Sequence, residues 1–300
     1  MSEVHPNLKR LSSSSVGLFF SCPRKFQLTR TLAAGASAEL DVHTQFGLAV
    51  GAGAQSVISD LPYSKLYQQY LAWPGDLEDP YSIKDKKTFY DTLIASDRFS
   101  SFWREGFLST YKLYKNAIEL GYTIQFPNNF EYRGYIDAVV EERKNPGVLV
   151  PVELKTTKST TITESMYANS SQAVGYSAVV DYLSNSSTVV STAMYFIYSS
   201  MKREWTYMPV PVTKAAQVDH LIGIMQIIHQ IEEYSRQDHF PKNGNACYSF
   251  GRECRFFGIC GMSNKGLRLE SMPVIPESED KFEIKIPAEK ILSYHDTGDR

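Results

Sequence analysis

Two carboxylates and a lysine carry the most chemical information in this sequence. Asp137 closes the run Gly134-Tyr135-Ile136-Asp137, and beyond the turn signal Asn145-Pro146-Gly147 comes Pro151-Val152-Glu153-Leu154-Lys155. Both stretches are apolar segments bounded by turn residues, which predicts two strands paired as an antiparallel hairpin. Side chains alternate along a strand, so Glu153 and Lys155 share one face and Leu154 enters the opposite layer. Asp137, on the neighbouring strand, is then placed to stand beside Glu153. Two like charges at the edge of an apolar sheet are costly unless a cation neutralises them. Hard carboxylate oxygens suit Mg²⁺ or Mn²⁺. Such an ion can stabilise phosphoryl oxygens while an adjacent lysine orients a water. The alternative is a solvated Glu-x-Lys pair and an unrelated aspartate. The nearly unbroken apolar run Val148–Val152 argues against it, because it predicts a central strand whose terminal charges are seldom accidental.

The second cluster is sulfur. Three of the four cysteines, Cys247, Cys254 and Cys260, fall within 14 residues, and Cys22 stands far upstream. Three thiolates leave a four-coordinate centre incomplete, and Cys22 is the remaining candidate. Soft ligands favour Zn²⁺ or an iron–sulfur cluster. The spacing lacks the paired Cys-x2-Cys of a zinc knuckle, and four free thiols are the alternative. A shared centre would tie together segments 225 residues apart and stabilise the fold.

These groups need elements to hold them. Ser12–Ser15 are helix-start residues ahead of Leu18, Phe19, Cys22 and Phe26 at helical spacing, and Pro23 fits the first turn of a second short helix. Residues 44–59 form a glycine-containing helix suited to close packing, and 63–73 and 85–119 have mainly helical periodicity. Strands are expected at 122–126, 130–140, 148–155, 192–199 and 204–212. Helices are expected at 166–183 and 214–235, and a charged, proline-dotted tail follows Met262. The order predicts an α/β chain: a mixed sheet core flanked by helices, a helical N-terminal region and a cysteine-rich C-terminal staple. As one domain, 1–262 divides into a helical part (about 11–120), a sheet core (about 121–240) and a staple (241–262), with 263–300 as a tail.

The 300 residues can bury a sizeable core, and 43% hydrophobic with 21% charged composition excludes a mostly disordered chain. A net charge of −2 argues against a uniformly basic nucleic-acid binder, so phosphate binding must come from a local groove. No apolar run has the length of a membrane span, and Met1–Arg10 lacks the apolar stretch of a secretory signal, so a reducing cytoplasm is the expected compartment.

Asp137 followed by Glu153-Leu154-Lys155 resembles the signature of the PD-(D/E)XK nuclease superfamily. Gln172-Ala173-Val174-Gly175-Tyr176 resembles the Gln-x-x-x-Tyr motif of its RecB-like branch, and Ser21-Cys22-Pro23-Arg24-Lys25-Phe26 that branch's N-terminal Cys-Pro segment. The resemblance implies a restriction-endonuclease-like fold. It implies a divalent ion bound by Asp137, Glu153 and the Leu154 carbonyl, with Lys155 positioning the attacking water and Gln172 and Tyr176 contacting the DNA strand. The four cysteines are similar to the 4Fe–4S staple of AddAB-type nucleases, CRISPR-adaptation exonucleases and phage-encoded relatives. The family's Gly-x-x-x-His, whose His is a metal ligand, falls on Gly47-Leu48-Ala49-Val50-Gly51, so Gly51 occupies the His position. Gln55, one turn on, is a substitute contact, and His43 lies just before the helix.

The expected activity is therefore Mg²⁺- or Mn²⁺-dependent hydrolysis of DNA, as an exonuclease acting on single strands or ends. Arg133, Lys155 and Lys158 would supply local charge, and Tyr135 and Tyr167 would stack bases. The alternatives are a catalytically weakened DNA-binding subunit of a recombination or repair complex, or a zinc-stabilised regulatory protein. A recombination or replication protein would be the partner, and a host cytoplasm the setting if the chain is phage-encoded.

Overall fold

A computed structural model describes residues 3–32, 42–60, 83–167, 170–184, 190–249, 252–274 and 284–296. In chain order its main elements are β1 (Arg10–Leu11), α1 (Ser13–Ser21), α2 (Pro23–Thr31), α3 (Val42–Ile58), α4 (Phe89–Gly106), β2 (Tyr111–Phe126), β3 (Phe130–Glu142), β4 (Leu149–Thr157), α5 (Ser171–Ser184), β5 (Val190–Ser199), β6 (Glu204–Thr213), α6 (Lys214–Arg236), β7 (Tyr248–Ser249), β8 (Arg252–Glu253), β9 (Ile284–Pro287) and α7 (Ala288–Asp296). Seven strands form one mixed sheet in the order β6-β5-β4-β3-β2-β9, with β1 pairing β3. β3 and β4 are antiparallel, as the hairpin signal predicts, while β4 and β5 are parallel. A parallel pair needs a long crossover, and α5 lies in it.

The described chain falls into two compact units. One is built from Glu39–Leu120, Tyr135–Val218 and Ser293–Arg300, the other from Met1–Ala38, Gly121–Gly134 and Asp219–Leu292. In the first, strand alternation sorts two layers. Val150, Val152 and Leu154 of β4 join Phe196 of β5 and Phe46, Val50 and Ala54 of α3 in one apolar cluster that also contains Phe99 and Trp103 of α4. Tyr195 and Ile197 of β5 face Ala173 of α5 in the other. Small residues let α3 approach α4: a Cβ on Gly53 would collide with Ser96, whose Oγ and Cβ occupy that space. Glu153 is almost fully buried within the apolar stretch of β4, consistent with a central strand.

In the second unit, Ser12 caps α1 in a capping box with Ser15, and Pro23 opens α2. Leu28, Phe256 and Leu269 form its small apolar cluster.

The elements correct the sequence expectation in three places. The helix expected over 85–119 ends at Gly106, and β2 begins at Tyr111, with Lys115, Asn116 and Glu119 at φ of 42°, 59° and 50°. Those left-handed residues interrupt the strand and blur its period-two pattern. The helix expected from Met166 begins at Ser171, after a short 3₁₀ turn at Glu164–Met166. The tail is not featureless: β9 pairs in parallel with β2, Tyr122 opposite Ile284 and Gln125 opposite Pro287. The helical stretch expected at 63–73 lies outside the described residues.

Candidate active site

The carboxylate site lies within the first unit. The β3–β4 ladder runs from Glu141–Leu149 to Ala138–Val152. At Asp137 a side chain takes over from the backbone: its Oδ2 accepts from the Leu154 N–H at 2.7 Å. This contact anchors Asp137 beside Glu153. Burial pushes the Asp137 carboxyl well above the usual carboxylate range. The negative charge of Glu153 adds to the shift, while the Leu154 N–H and Lys155 oppose it. Two such groups in a low-dielectric site cannot both ionise cheaply without a cation between them.

Glu153 and Lys155 project from one face, as strand alternation requires, and Lys155 Nζ lies 2.5 Å from Glu153 Oε1. Gln172 of α5 reaches both groups. Its Oε1 accepts from Lys155 Nζ at 2.8 Å, and its Nε2 donates to Glu153 Oε1 at 3.0 Å and to the Tyr176 hydroxyl at 3.2 Å. Gln172 and Tyr176 are one helical turn apart, so one face of α5 braces the lysine and carboxylate together. The other oxygen, Glu153 Oε2, is buried and makes no hydrogen bond. A buried carboxylate oxygen without a partner is costly and calls for a ligand.

A cleft of about 490 Å³ opens onto these groups, lined by Asp137, Glu153, Lys155 and, from α3, Gly47, Gly51 and Gln55. Gly47 lies close enough to β4 that a Cβ would sit 3.4 Å from Thr156 Oγ1, whereas a Cβ on Gly51 would meet nothing within 4 Å. Gln55 is buried, and its Oε1 has no hydrogen-bond partner. His43 also lines the cleft. So does Glu119, a residue the sequence did not single out. It comes from the irregular part of β2, and its charge helps raise the Asp137 carboxyl. Nothing in the local pattern marks it, because its side-chain direction depends on a left-handed backbone residue.

Other expected contributors are placed elsewhere. Lys158 pairs with Asp85 at 3.6 Å, and Arg133, in the second unit, lies 3.7 Å from Glu131; neither lines the cleft. Tyr167 is half-buried, packs on Tyr195 with ring centroids 4.9 Å apart and feels the charge of Lys155, while Tyr135 is exposed.

The cysteines lie in the second unit, all as free thiols. Cys22 caps the N-terminus of α2, and its Sγ accepts from the backbone N–H of Lys25 and of Asn243, both at 3.4 Å. Cys254 N–H bonds the Cys247 carbonyl at 2.8 Å. Arg24 is buried, donates to Gln27 Oε1, Asn264 Oδ1 and the Met262 carbonyl, and acts electrostatically on Cys260 and Cys22. Burial pushes the Cys260 thiol up, opposed by Lys242 and Arg24. Among the described residues no group of three or more His, Cys, Asp or Glu side chains is gathered to hold a metal ion, here or at the carboxylate cleft.

No helix among the described residues is long and apolar enough to cross a membrane. The sequence profile of the PD-(D/E)XK nuclease superfamily matches residues 10–261. No curated protein is significantly similar in sequence. Among solved structures, the chain is similar to a candidate exonuclease from Eubacterium rectale, with 12% identity, TM-score 0.48, and 80% of this chain and 86% of that one covered. It is also similar to the protein SSO0001, with 14% identity, TM-score 0.32, and coverage of 80% and 96%.

Proposed function

Because this chain belongs to the PD-(D/E)XK nuclease superfamily, we propose that it is a divalent-metal-dependent DNA nuclease, acting as an exonuclease on single strands or ends, with Asp137, Glu153 and Lys155 at its centre. The observation that carries this is the bare, buried Glu153 Oε2 beside an anchored Asp137, in a cleft reached by a lysine. Asp137, Glu153 and the Leu154 carbonyl hold the ion, all through hard oxygen, as Mg²⁺ or Mn²⁺ requires. When bound, the ion supplies positive charge for the phosphoryl oxygens. Lys155, held by Glu153 Oε1 and Gln172, orients the attacking water from the same strand face. Gln172 keeps the ammonium in place and Tyr176, itself buried, fixes the Gln172 amide, so the half-buried Gln172 is the member of this pair left to meet the DNA strand. Gln55, whose amide oxygen is buried without a partner in the same cleft, would offer it to the ion where the family has a histidine. The open space at Gly51 is consistent with that exchange.

We also propose that Cys22, Cys247, Cys254 and Cys260 close on a 4Fe–4S cluster as a structural staple. The resemblance of the Cys-Pro segment supports it, as does Cys22 Sγ accepting from the N–H groups of Lys25 and Asn243, which ties the N-terminal segment to the start of the cysteine-rich one. Zinc is the competing occupant. Anaerobic purification separates the two, a brown protein with iron and sulfide against a colourless one with zinc.

The test of the nuclease is cleavage of end-labelled single- and double-stranded DNA with Mg²⁺ or Mn²⁺. Cleavage that disappears on chelation and in Glu153→Gln supports the proposal. An inert protein with every divalent ion, or full activity in Glu153→Gln and Lys155→Ala, would falsify it.

A further inference from the structure

Near the carboxylates Lys155 is the one cation lining the cleft among the described residues, and it is engaged by Glu153 and Gln172. A DNA strand carries a negative charge at every nucleotide, so a single occupied lysine is a poor holder for it. A second cleft in this unit, of about 450 Å³, is lined by Arg104, Lys112 and Arg143, with Asp60 as the one lining carboxylate among the described residues. Arg143 is held in place: its Nε donates to the carbonyls of Leu108 and Tyr111 at 2.9 and 3.0 Å. Lys112 is 2.8 Å from Glu141 and remains half exposed. Arg104, in the last turn of α4, has no ion pair or side-chain hydrogen bond among the described residues.

The same two elements wall both clefts. α3 gives Gly51 and Gln55 to the first and Ser56 and Ile58 to the second, and β2 gives Glu119 to the first and Asn116 and Lys112 to the second. From Gly51 to Ile58 a helix rises about 10 Å. A DNA strand covers that span in about three nucleotides at roughly 3.4 Å each. We propose that the basic cleft binds the phosphate backbone of the strand being cut, a few nucleotides from the scissile bond, through Arg104, Lys112 and Arg143. This rests on the nuclease function proposed above.

The test uses full-length protein in a Lys155→Ala background, so that the strand stays intact, with oligothymidine as the probe and affinity measured from low to high salt. Each lost phosphate contact should lower the slope of log affinity against log salt by about 0.7 for a single strand. Arg104→Ala with Lys112→Ala should therefore lower it by about 1.4, and should shrink the gain in affinity on lengthening the oligomer from three to twelve nucleotides. Arg104→Ala alone guards against misfolding, since no ion pair or side-chain hydrogen bond is removed. An unchanged slope in both variants overturns the proposal. If the wild-type chain cuts no DNA yet the slope still falls, the nuclease function fails and the basic cleft stands as a nucleic-acid surface. If it cuts and the slope is unchanged, the reverse holds.

Discussion

The carboxylate cleft and the cysteine segment are both built from residues distant in sequence, yet one stands on paired strands and the other on a helix cap and turns. Asp137, Glu153 and Lys155 stand on paired strands, where alternation fixes direction and neighbouring backbone fixes position. Asp137 is pinned by the Leu154 N–H, and Lys155 is pinned by Glu153 and Gln172. Cys22 instead stands at a helix cap, and Cys254 and Cys260 stand in a turn-rich segment whose described strands, β7 and β8, are two residues each. Its local apolar cluster is Leu28, Phe256 and Leu269 with a few partners. A site on strands inherits its geometry from the sheet. A site on loops must be closed by whatever binds it.

If that contrast is right, the two sites should respond to opposite perturbations. The largest effect belongs to single atoms of the strand site. Lys155→Ala should lower the cleavage rate by 10²- to 10⁴-fold, the range for losing a positioned proton-transfer group, with little change in melting temperature. Next comes ligand loading of the cysteine segment. Anaerobic reconstitution with iron and sulfide should raise the melting temperature by about 10 °C in the wild type, because it cross-links segments 225 residues apart, and should do so far less in Cys22→Ala. Equal loading of wild type and variant would erase the contrast.

Smaller effects sharpen it. Gly53→Ala should cost about 1–3 kcal/mol in chemical denaturation, since its methyl group would press on Ser96 and force α3 from α4. A neutral result would mean that the wall of the cleft yields easily. Gln55→Ala should weaken Mg²⁺ binding, read by calorimetry, by up to about tenfold if its amide oxygen faces the ion. His220 offers a pH test confined to the second unit. Burial lowers its pKa to about 4, with Tyr132 edge-on at 5.4 Å, while an unfolded chain has about 6.5. The depressed value favours the neutral ring, so its contribution is complete above pH 6.5 and is lost as pH falls toward 4. The loss is on the order of 3 kcal/mol at most. His220→Phe should flatten that part of the stability profile relative to wild type.

The sheet and the acidic pair were legible because both rest on periodicity. The apolar run before Glu153, the turn at Asn145–Gly147 and the four-residue step from Gln172 to Tyr176 all survive in the structure. What was not legible depends on backbone that breaks the period. β2 looked helical because left-handed residues at 115, 116 and 119 offset its alternation, and Glu119 reaches the cleft from that irregular stretch. Arg133 and Lys158 were misplaced for a related reason. Nearness in sequence to a catalytic strand says nothing about which carboxylate a long flexible side chain finds, and these two lie near Glu131 and Asp85. Arg104, Lys112 and Arg143 come from α4, β2 and the turn after β3, and come together only in the tertiary structure.

The short strand β9 has a practical consequence for anyone trimming the chain. A fragment ending at Met262 would strip the parallel partner from Tyr122–Gln125 and bare a row of unsatisfied amides beside the buried Tyr122 and Ile124. An open border of that kind invites a second molecule to add its own strand, so self-association should follow truncation, while the full-length polypeptide caps itself.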